Sequence, residues 1–263
     1  MITIRSADEL SRLERASRVV LETLEVLEKA VEPGVTTEEL DRIAAEEIGK
    51  RGAKPAFLNY RGFPKTICTS VNDEVVHGIP GKRSLKEGDI VGIDCGAVVD
   101  GYYGDAARTL PVGRIDPARA KLLQVTREAL HAGIAAAQPG GRVSDIGAAV
   151  EAIALAHGYG VVREFVGHGV GTALHEEPQV PNYGPPGRGS TLKPGMVLAI
   201  EPMFNIGTGQ VSVDRDGWTV RTRDRSASAH FENTIAIGVD GPVILGLDRL
   251  WATVAREAAA VPA

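Results

Sequence analysis

Residues 85–94, Leu-Lys-Glu-Gly-Asp-Ile-Val-Gly-Ile-Asp, return at 192–201 as Leu-Lys-Pro-Gly-Met-Val-Leu-Ala-Ile-Glu, so an apolar strand closed by an acid occurs twice. Earlier segments correspond at almost the same offset. Glu32-Pro33-Gly34 matches Gln138-Pro139-Gly140 and Gly52 matches Gly158, with one residue inserted before Leu192. A repeat of this kind is a duplicated supersecondary unit whose copies bury their apolar surface together. It predicts an α+β domain of two pseudo-symmetric halves, about 10–115 and 117–245, with Asp94 and Glu201 facing each other across the seam. Paired carboxylates in such a cleft point to metal or acid-base chemistry.

Helix signals recur in the same order in each half. Ser6-Ala7-Asp8-Glu9 has the form of a capping box and precedes Leu10, Leu13, Leu21, Leu24, Leu27 and Val31 at broadly helical spacing. Thr36-Thr37-Glu38-Glu39 opens a second helix, and Gly52 stands where it should stop. Asp116-Pro117 starts the equivalent helix over 117–137, and 143–157 repeats the shorter one. Pro181 to Ser190 is a loop, and 247–263 is an Ala-rich C-terminal tail with a helix expected from Leu247. No linker divides the chain, which predicts a single catalytic domain over 1–263.

Composition narrows the function classes. With 263 residues, 43% of them hydrophobic, the chain can bury a large core. A net charge of −5 without a Lys/Arg cluster argues against nucleic-acid binding. No apolar stretch is long enough for a bilayer, and the N-terminus lacks a signal-peptide pattern. Cys68 and Cys95 allow at most one disulfide and no zinc clip. A cytoplasmic protein is the expectation.

Asp100-Gly101, between Ala97-Val98-Val99 and Tyr102-Tyr103, is a two-residue hairpin signal. Pairing Val99 with Tyr102 sets Asp94 opposite Ala107, and Asp105 falls two positions away on the same face. Diagonal neighbours of this kind lie roughly 7–8 Å apart at their backbones. The two acids read either as solvated surface groups or as ligands of a shared cation, and the apolar run Ile90 to Ile93 favours the buried reading. In the second half, Glu201 and Glu232 interrupt apolar strands, and His168 lies in Gly167-His168-Gly169-Val170-Gly171. Alone, that His is a hydrogen-bonding turn residue or a ligand. Beside four buried acids it is the better ligand candidate.

These residues resemble the type I methionine aminopeptidases in their short bacterial form, over nearly the whole chain. The resemblance rests on Asp94, Asp105, His168, Glu201 and Glu232, which fill all five dinuclear-metal positions of that family. It rests also on Glu74 to Pro80 around His77, on His175-Glu176-Glu177-Pro178, on Glu201-Pro202-Met203 and on Asp216-Gly217-Trp218-Thr219. It implies the pita-bread fold, a central mostly antiparallel sheet with helices outside, and two divalent ions, Co, Mn or Fe. Asp105 and Glu232 would bridge the ions, Asp94 would complete one site, and His168 with Glu201 the other.

By the same resemblance, a water between the ions attacks the carbonyl of an N-terminal Met, Glu201 relays a proton, and His77 and His175 act on the scissile amide. Tyr60, Phe63, Cys68, Met203 and Trp218 would wall the Met pocket, with Phe57 and Arg61 at its edge and Leu174 where relatives commonly carry Phe. The implied substrates are nascent polypeptides with a small second residue, met close to the ribosome by a monomer. Two rival readings keep the fold and change the activity: a peptidase directed at Xaa-Pro bonds, or a metal-free binding protein. The first usually carries an extra N-terminal domain and the second loses ligands.

Overall fold

The computed structural model describes residues 2–247. Of the tail read over 247–263, only Leu247 falls within them, so the expected C-terminal helix lies outside the described residues. Helix α1 (Ala7–Ala30) begins at the predicted capping box, with the Ser6 hydroxyl accepting from the Glu9 N–H and the Glu9 carboxylate accepting from the Ser6 N–H. Helix α2 (Thr37–Lys50) follows its Thr36 cap. Strands β1 (Lys54–Pro55), β2 (Ile67–Val71), β3 (Glu74–Val76), β4 (Ile90–Val99) and β5 (Tyr102–Pro111) complete the first half. Helices α3 (Pro117–Ala136) and α4 (Val143–His157) open the second, followed by β6 (Gly160–Val161), β7 (Gly167–Gly169), β8 (Glu176–Val180), β9 (Val197–Ile200) and β10 (Met203–Asn205). The chain continues through β11 (Val211–Val213), β12 (Val220–Thr222), β13 (Ser228–His230), β14 (Glu232–Ile237) and β15 (Pro242–Ile244).

Nine strands form one sheet in the order β1-β4-β5-β14-β9-β7-β8, with β2 on β4 and β15 on β14, all paired antiparallel. Two three-stranded sheets, β13-β10-β6 and β11-β12-β3, flank it. The duplication is visible in the hydrogen bonding. Gly34 N–H donates to the Leu85 carbonyl (2.8 Å) as Gly140 N–H does to Leu192 (2.9 Å), and the isolated bridge Thr36–Ser84 is repeated by Arg142–Thr191.

Each half buries one sheet face under its own helix pair. Val91, Ile93, Cys95 and Ala97 alternate along β4 and pack with Leu24, Leu27, Leu40 and Ile48 of α1 and α2. Leu198, Ile200, Ile235 and Ile237 pack with residues of α3 and α4 such as Leu122, Ile134 and Val150. Strand alternation leaves the other face of these strands for the acids. Asp94 and Glu201 do not abut as expected. Strands β5 and β14 lie between β4 and β9, so the duplicated acids flank a row rather than meet.

The close seat of α1 on β5 depends on Gly104, where an added Cβ would fall 2.5 Å from the Ser17 nitrogen and 2.6 Å from the Ala16 carbonyl carbon. Gly104→Ala is therefore expected to destabilise the fold by about 1–3 kcal/mol. A urea midpoint unchanged from wild type would show that α1 can shift freely.

Candidate metal centre

Register places five side chains in one row. Asp94 pairs with Ala107, and Gly96 with Asp105, so the two aspartates are diagonal neighbours as the hairpin signal predicts. Ala107 also pairs with Glu232, which puts that acid on the same face. Asn233 pairs with Ile200, so Glu201, one residue past the end of β9, follows beside Glu232. His168 pairs with Ala199, two residues before Glu201, and joins the row by the same alternation. Thr234 fastens the crossing, its hydroxyl donating to the Asp105 carbonyl at 2.7 Å.

His168 is aimed by its flanking glycines. A Cβ at Gly167 would lie 2.3 Å from the Ala199 carbonyl oxygen, and one at Gly169 would lie 2.3 Å from that of Glu177. Only glycine lets β7 sit this close between β8 and β9. The His168 Nδ1 is 3.0 Å from the Gly169 carbonyl, a contact that requires the proton on Nδ1. The Nε2 lone pair is then left facing Glu201 Oε1 at 3.5 Å and Asp105 Oδ2 at 3.9 Å, the orientation a metal-binding imidazole needs.

The electrostatics call for positive charge. Burial pushes the Asp105 carboxyl well above its ordinary range, and the charges of Asp94 and Glu201 push it further. Glu232 is raised by burial and then by Asp105, Glu201 and Asp94, and Glu201 by burial and then Asp94. Asp94 is raised by burial to about 7. Among the described residues their ion-pair contacts are with His168 and His230, and no Lys or Arg offsets them. Asp94 Oδ1, Asp105 Oδ1 and Glu232 Oε1 are buried without a hydrogen-bond partner. Buried oxygens left unpaired are unfavourable, and divalent cations would satisfy them. Ligand atoms of Asp105, His168 and Glu232 lie within 4.8 Å of one another. Carboxylate oxygens with one imidazole suit Mn(II), Fe(II) or Co(II).

A cavity of about 310 Å³ opens over this row. His77 stands on its wall at a left-handed turn (φ 61°), edge-on to Phe165 at 5.4 Å and to Trp218 at 6.3 Å. His175 stacks on Tyr60 at 5.4 Å, and the Tyr60 hydroxyl lies 2.8 Å from its Nδ1. Burial lowers His77 to about 4, and burial followed by the nearby His168, Arg61 and His77 lowers His175 to about 3. Both are neutral imidazoles at pH 7.

Residues 11–238 match the model of metallopeptidase family M24. The chain belongs to metallopeptidase family M24. Methionine aminopeptidase of Clostridium acetobutylicum is 52% identical to it over 248 residues, covering 94% of this chain and 99% of the relative. The crystal structure of methionine aminopeptidase from Rickettsia prowazekii is 44% identical, with a TM-score of 0.93 over 94% of this chain and all of that one. Prolidase from Pyrococcus furiosus, at 24% identity and a TM-score of 0.74 over 94% of this chain and 66% of its own, shares the fold alone. Among M24 enzymes the chain thus stands with the methionine aminopeptidases and not with the proline-directed ones. It is a hydrolase that uses divalent metal ions.

The cavity of this M24 peptidase gathers most residues named from the sequence. Tyr60, Phe63, Cys68, His77, His175 and Trp218 line it above Asp94, Asp105, His168, Glu201 and Glu232, with Phe57, Arg61 and Leu174 beside them. Met203 stands apart from this wall. Pro202 ends the run from β9, β10 turns into a flanking sheet, and the Met203 side chain is fully buried with Val75, Val76, Val162 and Val220. Phe165 and His230 line the cavity without having been singled out. His230 precedes Glu232 by two residues, but it ends β13 while Glu232 opens β14 in another sheet, so the alternation of a single strand gave no signal for it.

Proposed function

We propose that this M24 peptidase removes the N-terminal Met from polypeptides whose second residue is small. The observation that carries this is the row of four acids and His168 on the floor of a cavity with apolar and aromatic walls. Asp105 and Glu232 are central in the row, which suits bridging roles. Asp94 flanks them on one side, and Glu201 with His168 on the other. Two divalent cations bound there would offset the acids and lower the pKa of a water enough for it to attack the Met carbonyl.

The protein's own groups do the rest. Glu201 takes the proton of the attacking water and passes it towards the leaving amine. With the Tyr60 hydroxyl as the donor in its 2.8 Å contact with His175 Nδ1, that ring would carry its proton on Nε2, where it would hydrogen-bond the oxygen of the scissile carbonyl. Neutral His77, held by Phe165 and Trp218, faces the leaving side of the same amide. Phe63, Cys68 and Trp218 supply polarizable surface for a thioether, and Met203 backs the strand that carries His230. The free amine of the substrate ends in the acid row, which restricts cleavage to chain ends.

We extend the proposal to cytoplasmic action on nascent chains close to the ribosome, by a monomer. Both halves of the chain contribute candidate ligands, Asp94 and Asp105 from the first and His168, Glu201 and Glu232 from the second. With Mn(II) or Co(II), the protein is expected to release Met from Met-Ala-Ser and to spare a Met-Lys peptide. Cleavage of Xaa-Pro peptides alone, or of neither Met peptide by folded and metal-loaded protein, would overturn the proposal.

A further inference from the structure

His230 has no part in the chemistry above, yet it is built into the same floor. The residue is 4% exposed and its Nε2 is buried without a hydrogen-bond partner. That nitrogen lies 3.8 Å from Glu201 Oε2 and 3.9 Å from Glu232 Oε2. Its backbone is fixed on both groups by one side chain. The His230 N–H donates to Thr109 Oγ1 at 2.9 Å, and the Thr109 hydroxyl donates to the His230 carbonyl at 2.8 Å. Pairing of β13 with β10, Met203 against His230, holds the strand from the other side. A ring this constrained, with an unpaired nitrogen turned towards two candidate ligands, is placed for a partner that the protein atoms do not supply.

Two donors on one transition-metal ion, each at about 2.1 Å, stand at most roughly 4.2 Å apart. Both separations from His230 Nε2 fall inside that limit. Resting on the metallopeptidase reading of this site, we propose that His230 is a sixth protein ligand, completing the cation held by His168 and Glu201. The two cation positions then differ in kind. One carries two imidazoles, and the other, on the Asp94 and Asp105 side, is held by oxygen alone. Imidazole favours Fe(II), Co(II), Ni(II) and Zn(II), whereas an all-oxygen set suits Mn(II) and Mg(II). The first equivalent of Co(II) belongs on the imidazole side.

The test is a ligand count on wild-type protein loaded with one equivalent of Co(II), read from the imidazole scattering in its X-ray absorption spectrum. Two imidazoles per cobalt are expected. In His230→Gln the count falls to one, and calorimetric titration with Co(II) shows the tight step weakened by at least on the order of 10–100-fold, the loss that even an outer hydrogen-bond partner of a ligand produces. The weaker second step changes little. A single imidazole in the wild type, or a tight step of unchanged affinity in His230→Gln, would overturn the proposal. The wild-type count stands whatever the substitution does to folding. Protein that is folded and takes up no Co(II) would remove the metal site itself, a result distinct from two bound ions with one imidazole between them.

Discussion

Replacing Asp105 by Ala is expected to lower kcat/KM for Met-Ala-Ser by at least about 10³, some 4 kcal/mol of transition-state stabilisation. Asp105 sits in the middle of the row, diagonal to Asp94 on the hairpin and within 4.8 Å of ligand atoms of both His168 and Glu232. On the proposed reading Asp105 would help hold both cations, so bound metal should fall from two ions per chain to one or none in the variant. The fold should survive. Among the described residues Asp105 has no Lys or Arg partner to strand, and its loss relieves repulsion from Asp94 and Glu201. Metal analysis and a melting curve on the same sample separate loss of ions from loss of structure. A variant that binds two ions and turns over like wild type would remove Asp105 from the site.

Stripping the metal should make stability fall with rising pH above about 6.5. Asp94, raised to about 7, and Asp105, Glu201 and Glu232, raised well above the carboxylate range, keep protons in the folded chain that the unfolded chain has already released. Their contribution is full below the unfolded carboxylate values and is lost as pH rises through the folded ones. The slope is about 1.4 kcal/mol per pH unit for each carboxyl that retains its proton, which in a chain of this size is several degrees of Tm. His77, His168, His175 and His230 act with the opposite sign, being lowered by burial. Their contribution is present above about 6.5 and lost as pH falls. The two sets oppose each other below that value, and the acids act alone above it. Mn(II) in place of the protons should flatten the profile from pH 6.5 to 8.5 and raise Tm most at the alkaline end. A metal-free Tm that holds level over this range would mean that the four acids carry no such strain.

The parts of this site that were legible in the sequence are those governed by local rules. A two-residue turn at Asp100-Gly101 sets every pairing from Ile90 to Pro111, and a period of two then puts Asp94 and Asp105 on one face. The repeat likewise carries its own hydrogen bonds, which is why matched Pro-Gly breaks mark matched turns. Strand order carries no such signature. That β5 and β14 come between β4 and β9 follows from how the halves dock, so the two duplicated acids read as facing partners when they are the ends of a row. Met203 and His230 show the same limit. The break at Pro202 and the change of sheet at Phe231 reset the alternation, and burial, which sequence does not record, decides that Met203 enters the core while His230 reaches the floor.

The central claim, a two-metal site held by one side chain row, is tested most directly by anomalous diffraction from crystals soaked in Mn(II). Two peaks are expected within the row. One should touch Asp94 and Asp105 and the other His168 and Glu201, with Glu232 and Asp105 reaching both. Mn(II) peaks lying only elsewhere on the protein, or none in a crystal whose ordered density shows the five side chains free, would contradict it.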